Sequence, residues 1–219
     1  MAIEIEIKSK SYGKRIEPLP ALNGFALTVG EGEKVAIVGE SGVGKTTLLN
    51  ILGLIDRKFE GEYRLLGQDV DKLSEQELAS WRNSSIGFVL QESALINTLS
   101  ISDNITLPIL YSRPRIDDWR QRFEEIVSLL GIGHIVNKKP LECSGGEKAR
   151  AVFARAIIMR PSVILADEPT GSLDEENRER MLRLLFGLNE DYGVTIVTVT
   201  HDSYVAGKHD RVVQLKSKD

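Results

Sequence analysis

The sequence predicts an α/β protein with a buried, mostly parallel sheet, and three features of the chain support this fold class. Residues 34–55 begin with the apolar run KVAIVGE, pass through a Gly-rich loop and continue with KTTLLNILGLI, which is apolar at helical spacing. Three later runs, IGFVLQ, SVILADEP and VTIVTVTHD, are apolar without alternation. Such runs are typical of strands covered on both faces, as in parallel sheets. Helical patterns separate these runs, as an α/β fold requires.

The remaining pattern divides a single domain, residues 1–219, into a core and an insertion. MAIEIEIKSK alternates apolar and charged residues, which predicts a small antiparallel β region near the N-terminus. Helical periodicity dominates in DDWRQRFEEIVSLLGI and EKARAVFARAIIM. We therefore expect a core over about residues 1–91 and 161–219, and a helical subdomain over about residues 92–160.

Composition excludes several classes of function. The chain has 219 residues, 42% of them hydrophobic and 27% charged, which is ordinary for a globular protein. A net charge of -4 argues against nucleic acid as a partner. The single cysteine, Cys143, rules out an internal disulfide. No apolar run approaches the roughly 18 residues of a membrane-spanning helix.

A phosphate-binding loop is the strongest motif. GESGVGKT, residues 39–46, follows a buried strand, opens a helix and fits G-x-x-x-x-G-K-[ST]. Its glycines let backbone N–H groups surround phosphate oxygens, while Lys45 can reach the β- and γ-phosphates and the Thr46 hydroxyl can bind Mg²⁺. The alternative is a structural Gly-rich turn. The predicted nucleotide-binding positions are Gly39, Glu40, Ser41, Gly42, Val43, Gly44, Lys45, Thr46 and Thr47.

Four polar residues at the ends of buried strands are candidates for the chemistry. VILADE ends in Asp167 and Glu168, and neighbouring strand residues point to opposite sides. Asp167 would therefore hold Mg²⁺ while Glu168 polarises the attacking water. Gln91 could contact the metal or the water, and His201 could donate to the γ-phosphate. The alternatives are capping or salt-bridged acids, a solvated glutamine and a structural histidine.

The stretch LECSGGEKAR, residues 141–150, predicts a second anion site. Ser144 is a good helix N-cap, and Gly145 and Gly146 expose backbone donors in the first turn. Unlike the first loop, this one carries no lysine between its glycines and its helix. It either binds a different anion or completes the site of another copy of the chain.

Taken together, GESGVGKT, Gln91, SGGE, VILADE, SLD and His201 resemble the ATP-binding cassette (ABC) ATPases in content and order. The resemblance implies a P-loop NTPase core of RecA-like type with a small antiparallel β subdomain and a helical subdomain. It also implies an ATPase that uses ATP and Mg²⁺ and pairs head to tail as a homodimer on binding ATP. The residues it assigns are Tyr12 for stacking on adenine, Ser144, Gly145, Gly146 and Glu147 for the partner's γ-phosphate, and Ser172, Leu173 and Asp174 for the dimer interface.

Within the family, NILGLID, NITLPILY and ILADEPTGSLD resemble cassettes of the lipoprotein-release, macrolide-export and cell-division group. That implies a cytoplasmic subunit at the inner face of the membrane, with an integral membrane permease contacting residues 91–105. The signature commonly reads Leu-Ser-Gly-Gly-Gln, whereas this chain has Cys143 and Glu147 at its ends. INTLS, within the permease-contacting segment, also departs from the group's usual form.

Two alternatives belong to other functional classes. A nucleic-acid or ribosome-linked ABC ATPase usually has a long coiled coil or two cassettes in one chain, and neither is seen here. A kinase or GTPase would share only the phosphate loop. For a GTPase, NKKP begins like the guanine motif N-K-x-D, but Pro140 replaces the aspartate.

Overall fold

A computed structural model describes residues 1–12, 19–90, 95–171 and 173–216, with the backbone alone at 12 and 19–21. The strands in chain order are β1 (Ile3–Tyr12), β2 (Leu19–Val29), β3 (Lys34–Val38), β4 (Glu60–Leu65), β5 (Gln68–Asp69), β6 (Ile86–Leu90), β7 (Val163–Asp167), β8 (Thr195–Val199) and β9 (Arg211–Gln214). The α-helices are α1 (Lys45–Leu52), α2 (Glu75–Ser84), α3 (Ile101–Leu110), α4 (Trp119–Leu130), α5 (Gly145–Ile157), α6 (Glu175–Tyr192) and α7 (Ser203–Ala206). Short 3-10 helices cover Val70–Lys72, Gly133–Ile135 and Pro140–Glu142.

The antiparallel sheet has the strand order β2-β1-β4-β5, which confirms the predicted β region. Its central strand β1 buries Ile3, Ile5 and Ile7, while Glu6 between them is exposed. Ile5 lies opposite Leu27 of β2 and Tyr63 of β4, both of which are buried. One face of this sheet therefore packs into the core, as the apolar–charged alternation predicts.

The second sheet is parallel throughout, with the order β6-β7-β8-β3-β9. All five residues of β8 are buried, because helices cover both faces of the sheet. Strands β7 and β3 both pair with β8, so the carboxyl ends of these three strands meet at one edge. That edge carries the Gly-rich loop, the acidic pair and the histidine singled out in the sequence.

Helices α3, α4 and α5 lie in sequence between β6 and β7. Their apolar faces, including Ile105, Ile126 and Phe153, join one buried cluster with Ile164 of β7 and Leu185 of α6. The helical segment thus shares a core with the parallel sheet. Its boundaries at residues 92 and 160 stay a prediction.

Local capping explains where several helices begin. Ser74 caps α2, Ser100 caps α3 and Ser144 caps α5, each with an acidic residue three positions on that returns a bond to the backbone of the serine. Helix α6 ends at Gly193, which has a φ of 67°. Within the described parts of the chain, no helix combines the length and the apolar character needed to span a bilayer.

Candidate active site

The Gly-rich loop joins β3 to α1 and is shaped by its glycines. Gly44, at the N-cap of α1, has φ 101°, a backbone conformation that glycine adopts without strain. Lys45 begins the helix and turns its ammonium back into the loop, donating to the carbonyl oxygens of Gly39 at 2.8 Å and Glu40 at 2.9 Å. The loop therefore wraps around the Lys45 ammonium, and the N-terminus of α1 faces the space in front of the loop.

A cavity of about 470 Å³ lies in front of this loop and brings together residues from the phosphate loop with the acidic pair and the histidine that the sequence singled out. It is formed where the carboxyl ends of β3, β7 and β8 converge. Its lining consists of Ser41, Gly42, Gly44, Lys45, Thr46, Thr47, Asp167, Glu168 and His201. Cationic, hydroxyl and carboxylate groups thus share one open pocket.

Asp167 faces the loop across this cavity. Its Oδ2 accepts a hydrogen bond of 3.3 Å from the Thr46 hydroxyl. Burial raises the pKa of the Asp167 carboxyl, the Thr46 bond opposes that shift, and the negative charge of Glu168 adds to it. A hydroxyl and a carboxylate oxygen side by side are ligands that suit Mg²⁺, which uses few protein ligands when phosphates and water supply the rest.

The described residues contain no group of three or more His, Cys, Asp or Glu side chains that could hold a metal ion by themselves.

Glu168 directly follows the last residue of β7, Asp167, and lines the same cavity, so the strand alternation expected from the sequence does not extend to it. Its backbone has φ 44°, an unusual value for a residue other than glycine, and only 10% of its side chain is exposed. Oε2 accepts from the Thr200 hydroxyl at 2.9 Å, and Oε1 accepts from the backbone N–H of His201 at 2.8 Å. The two acids thus have different hydrogen-bond partners, Thr46 for Asp167 and the Thr200–His201 segment for Glu168.

The ring of His201 also contacts Glu168, through Nδ1 and Oε1. The imidazole is otherwise open, with 72% of the side chain exposed to the cavity and solvent. His201 is therefore positioned beside both the acid and the phosphate loop. Its role toward a γ-phosphate stays a prediction.

The sequence analysis did not identify Thr200, although its hydroxyl donates a hydrogen bond directly to Glu168. The residue is 1% exposed, and its Oγ1 also accepts from the Asp202 backbone N–H at 3.1 Å. A polar side chain directly after a buried apolar strand, next to His201, is the signal that could have marked it.

The SGGE turn lies on a different element and does not line this cavity. Ser144 caps α5, and its Oγ accepts from the Glu147 backbone N–H at 3.3 Å. The Glu147 carboxylate accepts from the Ser144 N–H at 2.7 Å and contacts Nε2 of His134 at 2.8 Å. These interactions, the Ser144 backbone bond first, lower the pKa of Glu147 to about 2.

The structure describes only some of the remaining predicted residues. Asp174 caps α6 and accepts from the backbone N–H of Asn177 at 2.8 Å, while Leu173 beside it packs on the helical cluster. Gln91, Ser172 and the side chain of Tyr12 lie outside the described residues.

A family model described as "ABC transporter" matches residues 22–171 of the chain. The chain belongs to the ABC transporter family. The cassette MJ0796, solved as a dimer in a post-hydrolysis state bound to ADP and Pi, is 37% identical to it, with a TM-score of 0.89 over 98% of this chain and 94% of that chain. The predicted cassette fold, the ATPase family and its use of ATP with Mg²⁺ are thereby confirmed.

Curated relatives include a macrolide-export and a lipoprotein-release protein, which match the predicted group, and a bacitracin-export protein outside the systems named for it. The chain is 42% identical over 214 residues to the macrolide export ATP-binding/permease protein MacB of Chlorobaculum tepidum. It is 42% identical over 207 residues to the bacitracin export ATP-binding protein BceA of Halalkalibacterium halodurans. It is 41% identical over 207 residues to the lipoprotein-releasing system ATP-binding protein LolD 1 of Rhodopirellula baltica.

The relatives differ in how much of their length this cassette represents. The match to MacB covers 98% of this chain but 33% of MacB. The match to BceA covers 94% of this chain and 82% of BceA, and the match to LolD 1 covers 94% of this chain and 90% of LolD 1. The chain thus spans about a third of the MacB proteins that it matches.

Proposed function

We propose that the chain is the ATP-hydrolysing subunit of a membrane export complex and that two copies close head to tail around ATP. One observation carries the proposal. The cavity at the phosphate loop holds Lys45, Thr46, Asp167, Glu168 and His201, whereas the second anion-binding turn lies on another element outside it. A single chain would therefore supply two complementary half-sites.

In the first half-site, the loop N–H groups and Lys45 bind the phosphates. Lys45 now donates to two carbonyl oxygens of its own loop, and phosphate oxygens would replace them as stronger, charged acceptors. Thr46 and Asp167 would hold Mg²⁺, which neutralises charge on the β- and γ-phosphates. The residues present fit this task, since both oxygens face the same cavity.

Glu168 is the proposed base that orients the attacking water. Both of its carboxylate oxygens accept hydrogen bonds from the two residues that directly follow β8. The His201 ring that contacts it is 72% exposed, which leaves space for the ring to turn toward a γ-phosphate. Such a turn would free one lone pair of Oε1 for the water, without moving the backbone N–H bond that fixes the carboxylate.

The second half-site offers donors but no positive side chain of its own. The N–H groups of Gly145 and Gly146, in the first turn of α5, have no partner within the helix by geometry. The helix dipole favours an anion at this end. Glu147 brings a negative charge to the same turn, but its carboxylate is occupied by the Ser144 N–H and by His134. These donors can therefore close over the γ-phosphate held by the partner copy.

For the membrane partner, we propose a permease contact over residues 91–105 at the cytoplasmic face of the membrane. The described part of this segment is held firmly, because buried Asn104 bonds both the N–H and the carbonyl oxygen of Ile96. Ile96 itself is 42% exposed. Ile96 is therefore an exposed side chain on a fixed backbone, available for the proposed permease contact.

The substrate class is inferred from the names of the relatives. One is described as exporting macrolides, one as exporting bacitracin and one as releasing lipoproteins. We propose extrusion of an antibiotic-like, peptide or lipid-linked substrate.

The proposal is tested by the dependence of ATP hydrolysis on protein concentration. Two half-sites predict a specific activity that rises with concentration until the dimer saturates. Full specific activity in a strictly monomeric sample at every concentration would overturn it. Affinity purification from detergent-solubilised cells should recover a membrane protein, and recovery of ribosomes or DNA alone would contradict the export role.

A further inference from the structure

Asn177, in the first turn of α6, makes an unusually complete set of contacts with Asp174. Its backbone N–H donates to Oδ1 at 2.8 Å, and its side-chain amide donates to Oδ1 at 3.0 Å and to Oδ2 at 2.9 Å. The Asn177 bonds are the leading causes that lower the pKa of the Asp174 carboxyl. A simple N-cap needs only the backbone bond, so the two amide bonds fix the orientation of the asparagine as well.

With the amide fixed in this way, the carbonyl oxygen of Asn177 faces helix α5. It accepts from Nη1 of Arg150 at 3.3 Å, one turn after the SGGE sequence. It also faces Gly146, where a Cβ atom would lie 3.0 Å from Oδ1 and 3.2 Å from Cγ of Asn177. The first turns of α5 and α6 are therefore in direct contact through this one side chain.

The two glycines of the turn differ in what they face. A Cβ at Gly145 would have no neighbour within 4 Å, which leaves that side open to a ligand. Gly146 is instead closed by Asn177. A side chain at Gly146 would therefore crowd Asn177 of the same subunit. Packing favours glycine at this position, in addition to the role of its exposed N–H.

We propose that Asn177 is a positioning residue that locks the Ser144–Glu147 turn to the Leu173–Asp174 turn, so that both approach the partner cassette as one unit. The inference rests on the proposed head-to-tail dimer, in which both turns face the partner. If the two turns are already held in a fixed position relative to each other, dimer closure does not have to restrict their motion. The entropic cost of association is then smaller. Loss of the lock should weaken closure without affecting the ATP site of the monomer.

The experiment measures MgATP-dependent dimerisation by analytical ultracentrifugation in the Glu168→Gln background, which should bind ATP without hydrolysing it. Adding Asn177→Ala should raise the dimer dissociation constant about tenfold, because charge-assisted bonds to Asp174 and the contact with α5 are lost. ATP affinity of the monomer should stay within about twofold. The matched control is Glu176→Gln, an exposed neighbour in the same turn, which should leave dimerisation unchanged.

A double-mutant cycle separates positioning from simple loss of stability. Gly146→Ala places a methyl group against Asn177 and should weaken dimerisation by itself. In the Asn177→Ala background that space is vacated, so Gly146→Ala should add no more than about a twofold change. Independent, multiplicative effects of the two substitutions would overturn the inference, as would a drop in melting temperature and ATP affinity that parallels the weaker dimer.

The controls also separate this inference from the function on which it rests. If Glu168→Gln alone stays monomeric in MgATP, the proposed dimer is wrong. If Glu168→Gln dimerises and Asn177→Ala dimerises equally well with it, the dimer stands and the role of Asn177 is wrong.

Discussion

The hydroxyl of Thr200 donates a 2.9 Å hydrogen bond to Oε2 of Glu168, and the two residues are 1% and 8% exposed. A buried hydroxyl that also accepts from the Asp202 N–H has little freedom to turn. It fixes one carboxylate oxygen while the backbone N–H of His201 fixes the other. Thr200 is therefore placed to orient the proposed base without touching the nucleotide.

Replacing Thr200 with valine tests this arrangement. Valine keeps the shape of the side chain but removes the bond to Glu168, so kcat for ATP hydrolysis should fall about tenfold. KM for ATP should change less than about twofold, because the phosphate loop is untouched. Steady-state ATPase assays measure both constants. Thr200→Ser restores the hydroxyl and should recover most of the rate, and a serine variant as slow as the valine variant would contradict this role.

Glu168→Gln should bind ATP and accumulate as a closed dimer. The amide keeps an oxygen that can accept from Thr200 or His201, so the local structure is preserved. It cannot take up a proton from water, and hydrolysis should fall by about a hundredfold or more. Light scattering after size exclusion in MgATP should show the dimer, with exposed Glu190→Gln as the control. Normal turnover in Glu168→Gln would remove this residue from the chemistry.

The positions of these site residues could be predicted because each lies at or just after the carboxyl end of a buried strand. Parallel strands end at one edge, so the loop after β3, the acids Asp167 and Glu168 at the end of β7, and His201 after β8 had to converge. The contacts of Thr200 and the positive φ of Glu168 could not be predicted, since both depend on how β8 approaches β7.

The surroundings of the SGGE turn were predictable only in part. A serine with Glu147 three residues on predicts the observed capping box. The contact of Glu147 with His134 was not predictable, because a separate 3-10 turn carries the histidine. The contact of Gly146 with Asn177 was not predictable either, since 30 residues of chain, including β7, lie between the two.

Ser144→Arg should abolish cooperative ATP hydrolysis while ATP binding to the monomer stays within about twofold. A long cation at this exposed position would block closure over the partner's phosphates, although the phosphate loop of the same chain is intact. Protein-concentration series of the ATPase and fluorescent-nucleotide titrations measure the two effects.

Helix α2 provides the matched control for that variant. Ser74 is also an exposed N-cap serine with a capping box, and its helix carries no residue of either half-site. Ser74→Arg therefore loses a comparable cap, at a cost of about 1 kcal/mol. Equal loss of activity in the two variants would assign the effect of Ser144→Arg to helix stability.

Stability should fall on acidification through His209. Its Nδ1 contacts the Val205 carbonyl oxygen at 2.9 Å, its Nε2 contacts the Thr198 hydroxyl at 2.8 Å, and the ring of Phe186 packs at its edge. Burial is the main cause that lowers the pKa of His209, so the folded protein holds the ring neutral where the unfolded chain would protonate it. Since the unfolded state then binds more protons, the free energy of unfolding decreases as pH falls below the unfolded pKa of about 6.5.

Urea unfolding at about pH 7.5 and about pH 5.5 measures this effect, whose slope from one histidine cannot exceed about 1.4 kcal/mol per pH unit. His209→Gln keeps a polar group near Thr198 but does not titrate, so it should lose less stability than the natural chain over the same interval. If His209→Gln and the natural chain lose the same free energy of unfolding, the acid sensitivity arises elsewhere, because only a group with different pKa values in the two states can contribute to the slope.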